Sequence, residues 1–219
     1  MTKYAKYLFY LYVLTAFISV RAGSYEDYFF AVRQDDSRTV ESLLKRGFDP
    51  NARDPKGVHG LFLAVSEPSP KVAAVLIDWP KTDVEPRTKE DESPLMIVAL
   101  KGDLELARRL VARGAHVNKT GWTALHYAAT NGHLTLIRFL LEQNAYIDAE
   151  APSGTTPLMM AAHYGTPEAV KLLLDEGADP MLKNLQGLTA IDFANRANRK
   201  ESSELIAAFI RSRQPRGKW

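Results

Sequence analysis

Between Gly121 and Asp148 the chain reads GWTALHYAATNGHLTLIRFLLEQNAYID, and its apolar positions fall at helical spacing. Leu125, Ala128 and Ala129 stand at i, i+3 and i+4, which puts them on one stripe of a short helix. Thr123 precedes the stripe as an N-cap, a hydroxyl able to accept an orphan backbone N–H of the first turn. Asn131-Gly132 breaks that helix. A second set, Leu136, Ile137, Leu140 and Leu141, repeats the spacing, and Asn144 suits the left-handed position that ends a helix. Two short helices joined by a tight turn cannot bury that much apolar surface alone. The pattern predicts neighbours of the same kind.

With Leu125 as marker, the matching positions are Tyr28, Leu61, Leu95, Leu158 and Ile191. In chain order the steps between markers are 33, 34, 30, 33 and 33 residues. Short words recur with them: Ser93-Pro94-Leu95, Thr123-Ala124-Leu125-His126, Thr156-Pro157-Leu158 and Thr189-Ala190-Ile191. Unit ends match as well, in Gly114-Ala115-His116-Val117-Asn118 and Gly177-Ala178-Asp179. On these words and this period, residues 25 to about 210 resemble the ankyrin repeat family. The resemblance implies an all-α solenoid of about five to six helix-turn-helix repeats with finger-like β-turns between them.

The repeats divide as an N-terminal cap at 24–54, repeats at 55–87, 88–119, 120–150 and 151–183, a C-terminal cap at 184–212, and a basic tail at 213–219. No linker rich in Gly, Ser or Pro interrupts 23–219, which reads as a single domain. The first unit lacks the Thr-Pro-Leu word, as a terminal repeat facing water should. Repeat 55–87 departs most: His59-Gly60 stands for Thr-Pro, and Pro80 for the helix-ending Gly. Its Ser69-Pro70 is expected to cap the second helix. From Asn118 to Thr123 the finger is three residues shorter than the one from Asp148 to Thr156, which predicts a clipped turn and a notch.

Ahead of the repeats, Lys3 and Lys6 give a basic start and Leu8 to Val20 carries no charge. Val20-Arg21-Ala22 offers a cleavage site before Gly23, so residues 1–22 read as a signal peptide and the chain as exported. A retained anchor is the competing reading, but an apolar run of that length spans only about 20 Å of a ~30 Å hydrocarbon core. The chain has 28 Lys and Arg, 26 Asp and Glu and 0 Cys. Without Lys3, Lys6 and Arg21 the balance falls to about −1, and nothing in it argues for nucleic acid, which wants a basic face. The missing cysteines exclude disulfides, thiolate zinc sites and a cysteine nucleophile. Export without cysteine suits a bacterial periplasm, with secretion as the alternative.

Repeats allow the chain to be compared with itself. Two residues past the marker stand Phe30, Leu63, Ile97, Tyr127, Met160 and Phe193, all apolar or aromatic and expected to pack between repeats. Five and six past it, the chemistry scatters, and this column holds Leu100, Lys101, Thr130, Asn131, His163 and Tyr164. In ankyrin proteins the corresponding positions line the face that meets partners. Trp122, just before a helix cap, joins them, either as an aromatic anchor beside His163 and Tyr164 or as cover for the clipped finger. These seven are the partner-binding candidates. His126 matches the family word, in which the imidazole ties neighbouring turns, and is expected to be structural.

No paired acids or histidines at metal spacing, nucleophile elbow, phosphate loop or dinucleotide fingerprint is present. The expectation is therefore a protein that is not an enzyme and takes no metal, cofactor or small-molecule substrate. It would have no membrane contact once the signal is removed. The function expected is an exported protein-binding scaffold for a periplasmic partner. An immunity or antidote protein and an accessory to an oxidative-stress enzyme are its two variants, and a secreted effector binding a host protein is the alternative.

Overall fold

A computed structural model describes residues 23–213; residues 1–22, read from sequence as a signal peptide, and the basic tail beyond Arg213 lie outside the described residues. Among the described residues there are helices and one isolated bridge between Arg53 and His59, but no strand. The chain is all-α, as the apolar spacing requires. The helices are α1 (23–33), α2 (Ser37–Lys45), α3 (Gly60–Ser66), α4 (Pro70–Asp78), α5 (Pro94–Lys101) and α6 (Leu104–Ala112). They continue as α7 (Ala124–Asn131), α8 (Leu134–Glu142), α9 (Pro157–His163), α10 (Pro167–Asp175), α11 (Ala190–Arg196) and α12 (Lys200–Arg213). They group into two compact units that part between Pro86 and Arg87.

In the first unit the marker residue is an aromatic. Tyr28 is fully buried, stacks on Phe48 at 4.6 Å between ring centres and meets Phe29 edge-on. Its hydroxyl lies where a side chain at Gly60 would begin: a Cβ there would stand 2.2 Å from Oη. The absence of the family's proline at that position thus has a steric cause. His59 supplies the cap that the missing threonine would have made, its Nδ1 accepting the Leu61 N–H at 3.1 Å. Its Nε2–H donates to Asn51 at 3.2 Å, and Asn51 in turn holds the backbone of Lys81 and Asp83. Ser69-Pro70 does start α4, but the serine hydroxyl makes no cap bond. Asp35, in the corner between α1 and α2, accepts the Val72 N–H of that first turn at 2.9 Å instead.

In the second unit α5, α7, α9 and α11 pack side by side, and α6, α8, α10 and α12 form a second row on them. The markers Leu95, Leu125 and Leu158 are fully buried, with Leu136, Ile137 and Leu140 among them. Repeat ends follow the turn chemistry read from sequence: Gly132 and Asn144 both adopt positive φ, at 67° and 61°. Repeat 184–212 closes the row. Where the preceding repeat has Met159, Ala162 and Val170, this one has Asp192, Asn195 and Ser203. The Ser203 hydroxyl donates to Asn195 at 2.7 Å, and Asp192 accepts both the N–H and the hydroxyl of Thr189. Polar groups that satisfy one another replace the apolar ones that would need a neighbour.

Fingers share one hydrogen-bond plan. The N–H of the first residue reaches the carbonyl four residues on, and the N–H of the fourth returns to the first carbonyl. This holds at 54–58, 88–92, 151–155 and 184–188, with bonds of 2.8–3.1 Å. The fourth residue needs positive φ, which glycine supplies at 57, 154 and 187, whereas Asp91 adopts it at 62°. The Asp91 carboxylate is bonded by Lys119, whose ammonium also donates to the Trp122 carbonyl at 3.2 Å. Lys119 belongs to the clipped finger. Its half-buried side chain thus spans the place where three residues are missing.

Candidate protein-binding surface

Six of the seven candidates sit where the first helices of the second unit end, and Trp122 sits just ahead of the start of α7. Lys101, Asn131 and Tyr164 are exposed, and Leu100, Trp122, Thr130 and His163 are half-buried. Several are engaged within the stack. The Asn131 amide donates to the Leu100 carbonyl at 2.7 Å, beside a second bond to that oxygen from His133 Nε2 at 2.9 Å. The Thr130 hydroxyl donates back to the His126 carbonyl of its own helix at 2.8 Å. The Asn131 bond ties α7 to α5, and the His133 bond ties the start of α8 to it. They also show that scatter in residue type does not mean freedom from structural duty.

Trp122 is not placed beside His163 and Tyr164 as the anchor reading required. It lies edge-on to His126 at 5.2 Å and to Tyr127 at 6.5 Å, over the start of its own repeat. His163 forms a separate group, packed on Tyr164 at 4.1 Å and on Phe193 at 5.9 Å, with Nδ1–H donating to the Phe193 carbonyl. The surface thus carries two aromatic clusters. Tyr164 crowns the second with 55% of its area open to solvent.

The column two past the marker was expected in the core, and there the structure corrects the sequence. Only Leu63 is buried; Ile97, Tyr127, Met160 and Phe193 are half-exposed, and Phe30 is 67% exposed. Tyr127 and Phe193 explain the direction. Each reaches back toward the repeat before it, Tyr127 by a 2.8 Å bond from its hydroxyl to Glu92 and Phe193 by its contact with His163. Burial and the Glu92 carboxylate raise the Tyr127 hydroxyl well above its ordinary range, so it stays a donor. The half-exposed row adds apolar surface to the seven candidates. Sequence comparison missed it because a shared residue type was read as full burial.

His126 performs the tie that the family resemblance implied. Its Nδ1 faces the N–H and hydroxyl of Thr123, at 3.2 and 2.9 Å, and its Nε2–H donates to the Thr155 carbonyl at 2.9 Å. Burial lowers its pKa to about 4, so it is neutral at pH 7. Among the described residues, no group of three or more His, Cys, Asp and Glu comes together to hold a metal, and no helix is long and apolar enough to cross a membrane.

Fold and site define a helical repeat protein of the protein-binding kind. Family models described as ankyrin repeats in three copies match residues 28–120 and 61–151, and one described as ankyrin repeats in many copies matches 142–194. The chain belongs to the ankyrin repeat family. Putative ankyrin repeat protein YahD of Escherichia coli (strain K12) is 28% identical over 191 residues, which is 83% of this chain and 94% of that protein. The nuclear factor NF-kappa-B p105 subunit of Gallus gallus is 32% identical over 169 residues, 74% of this chain but 17% of that protein. Among solved structures, a chain from the complex of the predatory endopeptidase Bd0816 of Bdellovibrio bacteriovorus with immunity protein Bd3460 superposes with a TM-score of 0.72 at 27% identity. The match covers 83% of this chain and 97% of that one. An ankyrin repeat domain from Acinetobacter baumannii AYE matches at the same TM-score and identity, over 96% of its length.

Proposed function

We propose that this ankyrin scaffold is exported and, without catalysis of its own, holds a protein partner in the periplasm, as an immunity-type protein or an enzyme accessory. The observation that carries the reading is the pair of aromatic clusters on the second unit. Tyr164 is exposed on a base of His163 and Phe193, and Trp122 is held edge-on by His126 and Tyr127. Partly exposed aromatics of this kind are enriched at interface centres. Support also comes from a fold neighbour, matched over 97% of its own length, in an endopeptidase–immunity protein complex. The basic start and apolar run of residues 1–22 support export.

Expression in the native host followed by N-terminal sequencing tests export: a mature chain beginning at Gly23 is expected, and intact Met1 in a membrane fraction would refute it. Cross-linking in the envelope fraction then supplies the partner for calorimetric titration. Tyr164→Ala is expected to weaken that binding by ~2 kcal/mol or more while leaving the melting temperature in place. Trp122→Ala should weaken binding too, with some loss of stability because the ring also covers His126. If both variants bind as tightly as the parent, the surface is misassigned.

A further inference from the structure

A second surface lies at the far side of the last repeat, away from the clusters described above. The helices α6, α8 and α10 are nine residues each, but α12 runs for fourteen. Its added turn carries Phe209, Ile210 and Arg213 alongside the turn Gly177–Met181 of the preceding repeat, and between them is a groove of about 380 Å³. Asp179, Pro180 and Met181 form its other wall.

The sequence columns show that this groove is a departure from the repeat plan. Three turns, one of them in the N-terminal cap, place a polar acceptor four residues after the helix-ending position: Asn51 takes the Asp83 N–H, Asn118 the Tyr146 N–H and Asp148 the Asp179 N–H. Each joins one turn to the next. At that position the turn after α10 has the apolar Met181, which is 58% exposed. The cap met water with Asp192, Asn195 and Ser203, yet here it presents an aromatic ring and an isoleucine, facing the sulfur of Met181 from the repeat before it. Solubility does not call for them.

Charge on the groove is arranged in a self-complementary way. One wall carries the acid Asp179 and the other the base Arg213, whose guanidinium lies 4.3 Å from the centre of the Phe209 ring. A two-fold operation that sets the groove against its own copy brings each arginine toward the aspartate opposite and buries Met181, Phe209 and Ile210 of both chains. We propose that this groove is an interface for a second copy of the chain, paired about a two-fold axis through α12 and the Gly177–Met181 turn. None of the residues that line the groove belongs to the aromatic clusters of the partner surface.

Sedimentation of the purified protein, produced from the full chain, across a micromolar to near-millimolar concentration series tests this. A monomer–dimer equilibrium is expected. Ile210→Glu and Met181→Asp should each weaken it by about tenfold or more, as a charge placed in an apolar interface does. Their melting temperatures should stay near that of the parent, because neither side chain is deeply buried. Asp179→Arg and Arg213→Asp should each weaken pairing, and the double exchange should restore it. Tyr164→Ala should leave it unchanged. A chain that is monomeric throughout the series overturns the proposal, as does a dimer indifferent to all four substitutions. A monomer whose groove cross-links to the chain's own residues 214–219 would assign the site to that segment and overturn it equally.

Discussion

His59 in the first unit and His126 in the second are both buried and neutral, and burial holds both near a pKa of about 4. Their wiring differs. His126 follows the family word, stands in the first turn of α7 and passes its Nε2–H to Thr155 of the next repeat. His59 replaces a threonine, caps α3 itself through Nδ1 and stays in place through Asn51. The same side chain thus extends a regular array in one region and repairs an irregular one in the other. In the first region, Tyr28 occupies the space of the absent proline, and that is why a repair is needed. A departure from a repeat pattern can therefore be stable when one neighbour changes with it.

The largest expected effect tests whether both regions keep the same core despite that difference. Leu61→Ala and Leu158→Ala, at matching and fully buried markers, should each cost about 2–5 kcal/mol, read from urea unfolding midpoints. An unchanged midpoint for either would show that its region is not packed as described.

Acid should come next. Well above pH 6.5 neither histidine binds a proton folded or unfolded, so no linkage acts. Below 6.5 the unfolded chain takes up protons that the folded chain refuses until about pH 4, so stability falls across that window. The loss approaches about 3 kcal/mol for each histidine. His59→Gln and His126→Gln should each flatten part of the slope between pH 7 and pH 4.5, and a slope unchanged in both would refute buried neutrality.

Gly60→Ala sharpens the comparison further, because it restores a side chain that repeats 88–119 and 120–150 tolerate at Pro94 and Ala124. Contact with Tyr28 should cost about 1–3 kcal/mol, and in combination with Tyr28→Phe part of that cost should vanish. A cost that persists in full would place the clash elsewhere. Smallest is Tyr164→Ala, expected within about 0.5 kcal/mol of the parent because the ring is mostly exposed.

Helix pairs and their ends were legible because spacing, Gly132 and Asn144 follow local rules that hold whatever the neighbours are. The role of His126 was legible through the family word. What escaped the sequence involves two distant partners at once. Ser69 was expected to cap α4, and Asp35, thirty-four residues earlier, does so. Of the two readings of Trp122, the anchor beside His163 and Tyr164 is not the one its ring contacts follow, and it lies over His126 and Tyr127 next to the clipped finger. Column comparison found Tyr164 but misjudged Tyr127 and Phe193, since residue type records what a position tolerates and not how much of it is covered. Met181 stood out in no sequence pattern until the Asn51, Asn118 and Asp148 bonds revealed what its column does elsewhere.

The polar exchange at Asp192, Asn195 and Ser203 also bears on how such a gene can lengthen. A duplicated repeat copied in ahead of Asn184 meets Met159, Ala162 and Val170 on one side and presents the same groups to the closing pair on the other. Appended after α12, the same copy would have to bury Asp192 and the bonded Asn195–Ser203 pair against apolar side chains. Growth of the array is thus confined to its interior. Variation in repeat number among descendants of this sequence should accumulate between Arg87 and Lys183, with the closing pair carried along unchanged.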